Sequence, residues 1–131
     1  MKRILVVDDD PDIVALVKNR LEDQHYQVIS AADGDEGVIK AQQQKPDLIV
    51  MDVMMPKMSG GDAVRFLQAD ENTKHIPVIF LTAIASRFPR MYGNSQEINV
   101  HGQFYKVMAK PFKPDELLFE INKLTDHGEA F

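Results

Sequence analysis

Short apolar runs alternate with segments of helical period along this chain, and that alternation is the first thing its order of residues dictates. Runs over 3–7, 26–30, 47–51 and 77–81 have strand length. Between the first two, Ile13, Leu16, Val17 and Leu21 fall on one helical stripe, with Asp10 as N-cap and Pro11 at the first helical position. Asp33-Gly34 opens a second helix that Pro46 stops, and Gly37 inside it should cost about 0.5–1 kcal/mol relative to Ala. A turn from Pro56 to Gly61 leads into a third helix with Ala63, Val64 and Leu67 facing inward. Pro114 starts the last helix, where Leu117, Leu118, Ile121 and Leu124 share a face. The pattern predicts five βα units: an α/β fold with a doubly wound parallel sheet, helices on both faces and right-handed crossovers.

Length changes this picture only by bounding it: 131 residues make one domain, 1–131 with its core over about 2–125, and leave no room for a second. A short polar stretch, from Thr125 to Phe131, ends the chain, so it is either free-standing or one domain of a longer protein. A net charge of −5 argues against a nucleic-acid surface. With no cysteine, disulfides and thiolate metal sites are excluded. The apolar run after the opening Met-Lys-Arg is too short for a signal-peptide core or a membrane span, which makes a cytoplasmic location the expectation.

The chemistry sits at the ends of the strands. Asp8, Asp9 and Asp10 follow the first run, Asp52 the third, Thr82 the fourth, and Lys110 a further run, just before Pro111. In a sheet of this kind the ligand site lies at the carboxyl ends of the strands, where the strand order reverses, so residues scattered over a hundred positions should share one patch. Carboxylates gathered there coexist only with a cation or with raised pKa values. Two carboxylates, a nucleophile candidate, a hydroxyl and an ammonium suit phosphoryl transfer, in which catalysis is positioning and charge neutralisation. Taken singly, each has a plainer reading. Asp10 is a helix cap, Thr82 ends a strand and Lys110 is a surface lysine, but two further acids before the cap have no such need. The histidines at 25, 75, 101 and 127 lack metal-ligand spacing and read as surface or loop residues, and Met51, Met54, Met55 and Met58 as packing residues.

The segments Ile4 to Asp10, Asp33-Gly34, Asp47 to Pro56, Gly60, Ile76 to Ala83 and Lys110-Pro111-Phe112 together resemble the receiver domain of two-component response regulators, over nearly the full chain. The resemblance implies a flavodoxin-like five-stranded sheet in order 2-1-3-4-5 and a cis Lys110-Pro111 bond. It implies that Asp52 accepts a phosphoryl group from a phosphohistidine of a sensor histidine kinase or histidine phosphotransfer protein. It further implies Mg2+ held by Asp9 and Asp52, by Asp8 directly or through water, and by the Met54 carbonyl, with Thr82 and Lys110 on the phosphoryl oxygens. The product is a signalling switch rather than an enzyme, a monomer or a phosphorylation-dependent homodimer, with no nucleic acid or membrane bound by this chain.

Three departures from the family pattern stand out. The 110 − 82 = 28 positions from Thr82 to Lys110 exceed the usual spacing, so the fourth helix should be displaced, shortened or preceded by a long loop. The position three before the lysine, often an aromatic switch, is Val107, with Phe104 and Tyr105 nearby. Met54 and Ile84, two residues after Asp52 and Thr82, are apolar where the family often carries polar residues that handle the hydrolytic water, which predicts a long-lived phosphorylated form. Two other readings remain open. One is a phosphorylation-independent interaction module of the same fold. The other is a Mg2+-dependent phosphohydrolase, disfavoured because Asp52-Val53-Met54 lacks a second acid to protonate a leaving group.

Overall fold

The structure is a computed structural model and describes residues 1–83 and 96–125. In chain order its elements are β1 (Arg3–Val7), α1 (Pro11–Asp23), β2 (Gln27–Ala31), α2 (Gly34–Gln44), β3 (Leu48–Asp52), α3 (Gly60–Gln68), β4 (Val78–Thr82), β5 (Gln96–Val100), β6 (Gln103–Ala109) and α4 (Pro114–Thr125). The first four strands lie within one residue of their expected places, and the caps are those the composition supplies. Asp10 Oδ1 accepts from the Asp12 amide, Asp33 Oδ1 from Glu36 and Ser59 Oγ from Asp62, each answering one orphan donor of a helix start.

One sheet runs through the molecule in the order β2-β1-β3-β4-β6-β5. Strands β1 to β4 and β6 are parallel and reproduce the expected 2-1-3-4-5 order, with β6 in the fifth place. Alternate strand residues point to opposite faces, and each face has its own core. Leu5, Val7, Ile49, Met51, Phe80, Tyr105 and Val107 pack with Ala41 of α2 and Ala63, Val64 and Leu67 of α3. Ile4, Val6, Leu48, Val50, Ile79 and Leu81 pack with Val17 and Leu21 of α1 and Leu117, Leu118 and Ile121 of α4. With both faces covered, β3 and β4 are buried at every position, the continuous apolar reading that a parallel sheet requires.

The fifth βα unit is β6 with α4, and ahead of it the structure has an additional strand that the pattern did not predict. β5 pairs antiparallel with β6 through a two-residue turn at His101-Gly102, both at positive φ (51° and 85°), with Asn99 Oδ1 accepting from the Gly102 amide. This hairpin takes up part of the long Thr82 to Lys110 interval. Residues 84–95, where the fourth crossover helix was expected, lie outside the described residues, as do Ile84 and the tail 126–131 with His127.

Two helix stripes are narrower than their spacing suggested. Leu16 is 45% exposed because α1 turns Val14, Val17 and Leu21 toward the sheet, one position round the helix from Leu16. Leu124 is 47% exposed for the same reason, and the buried position in that turn is Thr125, whose hydroxyl donates to the Ile121 carbonyl at 2.9 Å. Met51 is fully buried and Met55 and Met58 are partly so, but Met54 is 61% exposed and packs against nothing in the core, contrary to its expected packing role. Gly37 has a packing reason: a Cβ there would meet Val7 Cγ2 at 2.9 Å across the α2–β1 contact.

The neighbouring glycines that open α3 differ sharply. A Cβ on Gly60 would sit 2.3 Å from the Asp52 carbonyl oxygen, and that atom is backbone and cannot step aside. On Gly61 the nearest atom is Ser59 Oγ at 3.9 Å. Gly60→Ala should therefore destabilise the domain by about 2–3 kcal/mol through overpacking, and Gly61→Ala should leave it unchanged or up to about 1 kcal/mol more stable through helix propensity. Urea unfolding of the two variants checks this, and equal effects would contradict it.

Candidate functional site

Parallel register brings the chemistry together. Val7 is the partner of Met51 in the β1–β3 ladder, so Asp8 and Asp52 emerge side by side, and Thr82 is the partner of Ala109, so Lys110 emerges beside it. The Lys110 amide donates to the Thr82 carbonyl at 2.9 Å, extending the β4–β6 ladder by one bond to the point where the lysine leaves the sheet. The peptide bond that follows, Lys110-Pro111, is cis.

Each carboxylate there has defined partners. Asp8, 3% exposed, accepts from the Asp10 amide through Oδ1 at 2.9 Å and from Lys110 Nζ through Oδ2 at 2.8 Å. Asp52, 5% exposed, accepts from the Met54 amide through Oδ1 at 3.2 Å, and its Oδ2 lies 3.4 Å from the same ammonium. Asp9 is exposed beside them, and one oxygen from each of Asp8, Asp9 and Asp52 lies within 4.8 Å of the others. Thr82 is fully buried at the end of β4. Burial and then the neighbouring Asp8 charge raise the Asp52 pKa, with Lys110 and the Met54 amide opposing. Burial would lower Lys110, but its hydrogen bond to Asp8 and the charges of Asp52 and Asp8 outweigh it and hold the ammonium firmly protonated.

This donor set suits a hard divalent cation. Three carboxylate oxygens within mutual reach, one pair buried and held apart in charge by a single ammonium, leave negative charge that a Mg2+ ion would neutralise. Among the described residues His25, His75 and His101 are exposed and stand outside this cluster, and Asp10 caps α1. The reading from sequence had given no role to Gly60. Its amide donates to the Val53 carbonyl at 2.9 Å and pins the loop that follows Asp52, a role that the Gly60-Gly61 pair before an apolar helix would have signalled.

A doubly wound sheet with its polar residues converging at the switch-point edge puts the chain in the flavodoxin-like α/β class. Within that class, residues 4–122 match the response regulator receiver domain, and the chain belongs to that family. It is 38% identical over 128 residues to the alkaline phosphatase synthesis transcriptional regulatory protein PhoP of Bacillus subtilis, covering 98% of this chain and 50% of that protein. It is 36% identical over 122 residues to protein PilH of Pseudomonas aeruginosa, covering 93% of this chain and 96% of PilH. The chain thus spans about half the length of the transcriptional regulators it matches and nearly all of PilH. Among solved structures, the receiver domain of a sensor histidine kinase of P. aeruginosa PAO1, with a magnesium ion coordinated in its active-site cleft, superposes with a TM-score of 0.79 at 31% identity, covering 95% of this chain and 98% of that one. The chemotaxis protein CheY4 of Vibrio cholerae gives 0.75 at 29% identity, with the same coverage. The domain is accordingly a two-component phosphoacceptor module, of a family whose receiver domains act as signalling switches. No helix among the described residues is long and apolar enough to cross a membrane.

The raised Asp52 pKa has a stability consequence. The folded state binds that proton more tightly than the unfolded chain, so ionising Asp52 costs stability as pH rises from the ordinary carboxylate value through the raised folded value, and the whole cost is present above it. At neutral pH without divalent cations, Asp52→Asn should melt a few degrees above wild type, and the gap should close as pH falls through that window. Thermal melts across pH check this, and a variant that melts lower at neutral pH would contradict it.

Proposed function

We propose that Asp52 is the phosphoacceptor of this receiver, that Asp8, Asp9, Asp52 and the Met54 carbonyl hold Mg2+, and that Lys110 and Thr82 bind the phosphoryl oxygens. The observation that carries this reading is the meeting of Asp8, Asp9, Asp52 and one ammonium at the sheet edge: three acids inside 4.8 Å, and Lys110 Nζ within 2.8 and 3.4 Å of two of them.

Phosphorylation then proceeds by displacement. A carboxylate oxygen of Asp52 forms the new bond to phosphorus as the bond from phosphorus to the donor's imidazole nitrogen breaks, giving an acyl phosphate on Asp52 and a free histidine on the kinase or phosphotransfer protein. Bound Mg2+ supplies positive charge to the phosphoryl oxygens. Lys110 is already poised, because its ammonium bridges Asp8 and Asp52 and needs only to exchange the Asp52 oxygen for a phosphoryl oxygen. Thr82, at the end of the neighbouring strand, would offer its hydroxyl to another. The charge added at the edge favours a state that draws Thr82 and Lys110 inward, and the ladder bond between their backbones makes that motion a joint one of β4 and β6.

The aromatic switch position gives a different picture from the family pattern. Val107 is buried in the core, 2% exposed, while Tyr105, on the same strand face, lies edge-on to Phe80 with ring centroids 5.8 Å apart and takes a hydrogen bond from Gln68 of α3 at 2.7 Å. Readout through α3 and the hairpin fits this arrangement better than a rotamer change at position 107. We place the domain in the cytoplasm, opposite a histidine kinase or phosphotransfer partner, with its output target carried by whatever protein it serves.

Incubation with acetyl phosphate and Mg2+ followed by intact mass should show one phosphoryl adduct on wild type, none on Asp52→Asn, and a much reduced yield on Lys110→Ala. An unmodified wild type would favour the phosphorylation-independent module, and turnover of small phosphate esters would favour a phosphohydrolase. Loss of phosphate should be slow, because Met54, exposed at the rim, offers no polar group to orient water. Met54→Asn should speed dephosphorylation several-fold, and an unchanged rate would remove Met54 from that account.

A further inference from the structure

A groove of about 880 Å3 runs along the outer face of α3, on the side of that helix away from the core. Asp62, Arg65 and Phe66 of α3, with Ala69 at its C-cap, form its floor at the i, i+3, i+4, i+7 spacing of a single helical stripe. One wall is Lys57 and Met58, from the loop between Asp52 and α3. The other is Lys74 with His101 and Gln103 of the β5–β6 turn, so the groove exists because a hairpin stands beside α3. Helix and hairpin are fastened together: Gln68 Nε2 donates to the Val100 carbonyl at 2.9 Å and to Tyr105 Oη at 2.7 Å.

Two features of this groove bear on what it could hold. Phe66 is 57% exposed at its centre, a large aromatic ring that the helix could have turned to the core but does not. Its charged groups are mainly cationic on a chain of net charge −5: Lys57, Arg65 and Lys74, with Asp62 as the one acid among the described lining residues. Among the described residues Lys74 is paired with Glu71 at 2.9 Å, whereas Lys57 and Arg65 make no ion pair.

We propose that this groove docks an acidic peptide segment of a partner protein, with an apolar side chain seated on Phe66 and Met58 and its carboxylates toward Lys57 and Arg65. An aromatic anchor ringed by complementary charge is the make-up of a helix-in-groove contact. Openness favours a peptide over a small metabolite: Lys57, Arg65, Phe66, His101 and Gln103 are all exposed, whereas small-molecule sites enclose most of their ligand. The surface stands apart from the phosphoacceptor cluster and does not depend on the assignment of Asp52, although the wall at Lys57 and Met58 belongs to the loop that Gly60 pins behind that residue.

The test uses the 131-residue chain labelled with 15N and two synthetic peptides sharing Leu and Phe four residues apart, one with glutamates and one with lysines at the remaining positions. The glutamate peptide should shift amides of 57–58, 62–69 and 101–103, bind more weakly as salt rises, and bind at least about tenfold more tightly than the lysine peptide. Arg65→Glu with Lys57→Glu should abolish that preference, and Phe66→Ala should weaken both peptides, with circular dichroism showing that each variant stays folded. Equal binding of the two peptides, shifts centred elsewhere, or full affinity in the charge-reversed variant would overturn the proposal. The phosphoryl adduct on unliganded protein is measured separately, so failure here leaves the Asp52 reading untouched and failure there leaves this one.

Discussion

Like charges forced together at one edge of a parallel sheet are the constraint around which this domain is built. β1 and β3 are neighbours in register, so the residues that leave their ends, Asp8 and Asp52, have no choice but to face each other under cover of the loops. Burial makes that pairing expensive, because each carboxylate loses water and gains a repulsive neighbour. A single ammonium, Lys110, answers both, and it comes from the far end of the chain. The cluster is therefore under-neutralised by the geometry of the backbone, and its fit to a divalent cation follows from one fact of topology.

The supporting structure reads as a means of holding that arrangement still. Gly60 allows the loop after Asp52 to fold back so closely that no side chain fits, and its amide closes the loop on Val53. Asp10 and Pro11 start α1 immediately after the acids, which fixes the direction in which Asp8 and Asp9 depart from the strand. The two cores on either face, one under α2 and α3 and one under α1 and α4, then lock the strand ends in place.

Much of this was legible in the order of residues. Four of the strands, the cap at Asp10, the helix start at Asp33-Gly34 and the placing of Asp8, Asp9, Asp52, Thr82 and Lys110 at one sheet edge could be read because parallel buried strands are continuous apolar runs and their ends are marked by polar residues. The hairpin was missed for a physical reason. Its strands alternate apolar and polar side chains, its turn is His101-Gly102 rather than the more telling Asn-Gly, and the expectation of a crossover helix competed for the same residues. Leu16 and Leu124 were misplaced because spacing alone fixes a helical stripe only to within one position, and packing against the sheet decides the rest. Met54 was misjudged by composition, since an apolar side chain in a loop over a polar site has no core to enter.

The bond between Lys110 and Asp8 joins groups 102 positions apart, one just past β6 and the other just past β1. A fragment that stops short of position 110 lacks one partner, and a chain cleaved between them keeps the pair only if the sheet survives the cut. The ammonium that answers the two buried acids thus reaches them only once β6 has been made and has docked on β4, and a chain that stops short of β6 leaves Asp8 and Asp52 facing each other without it.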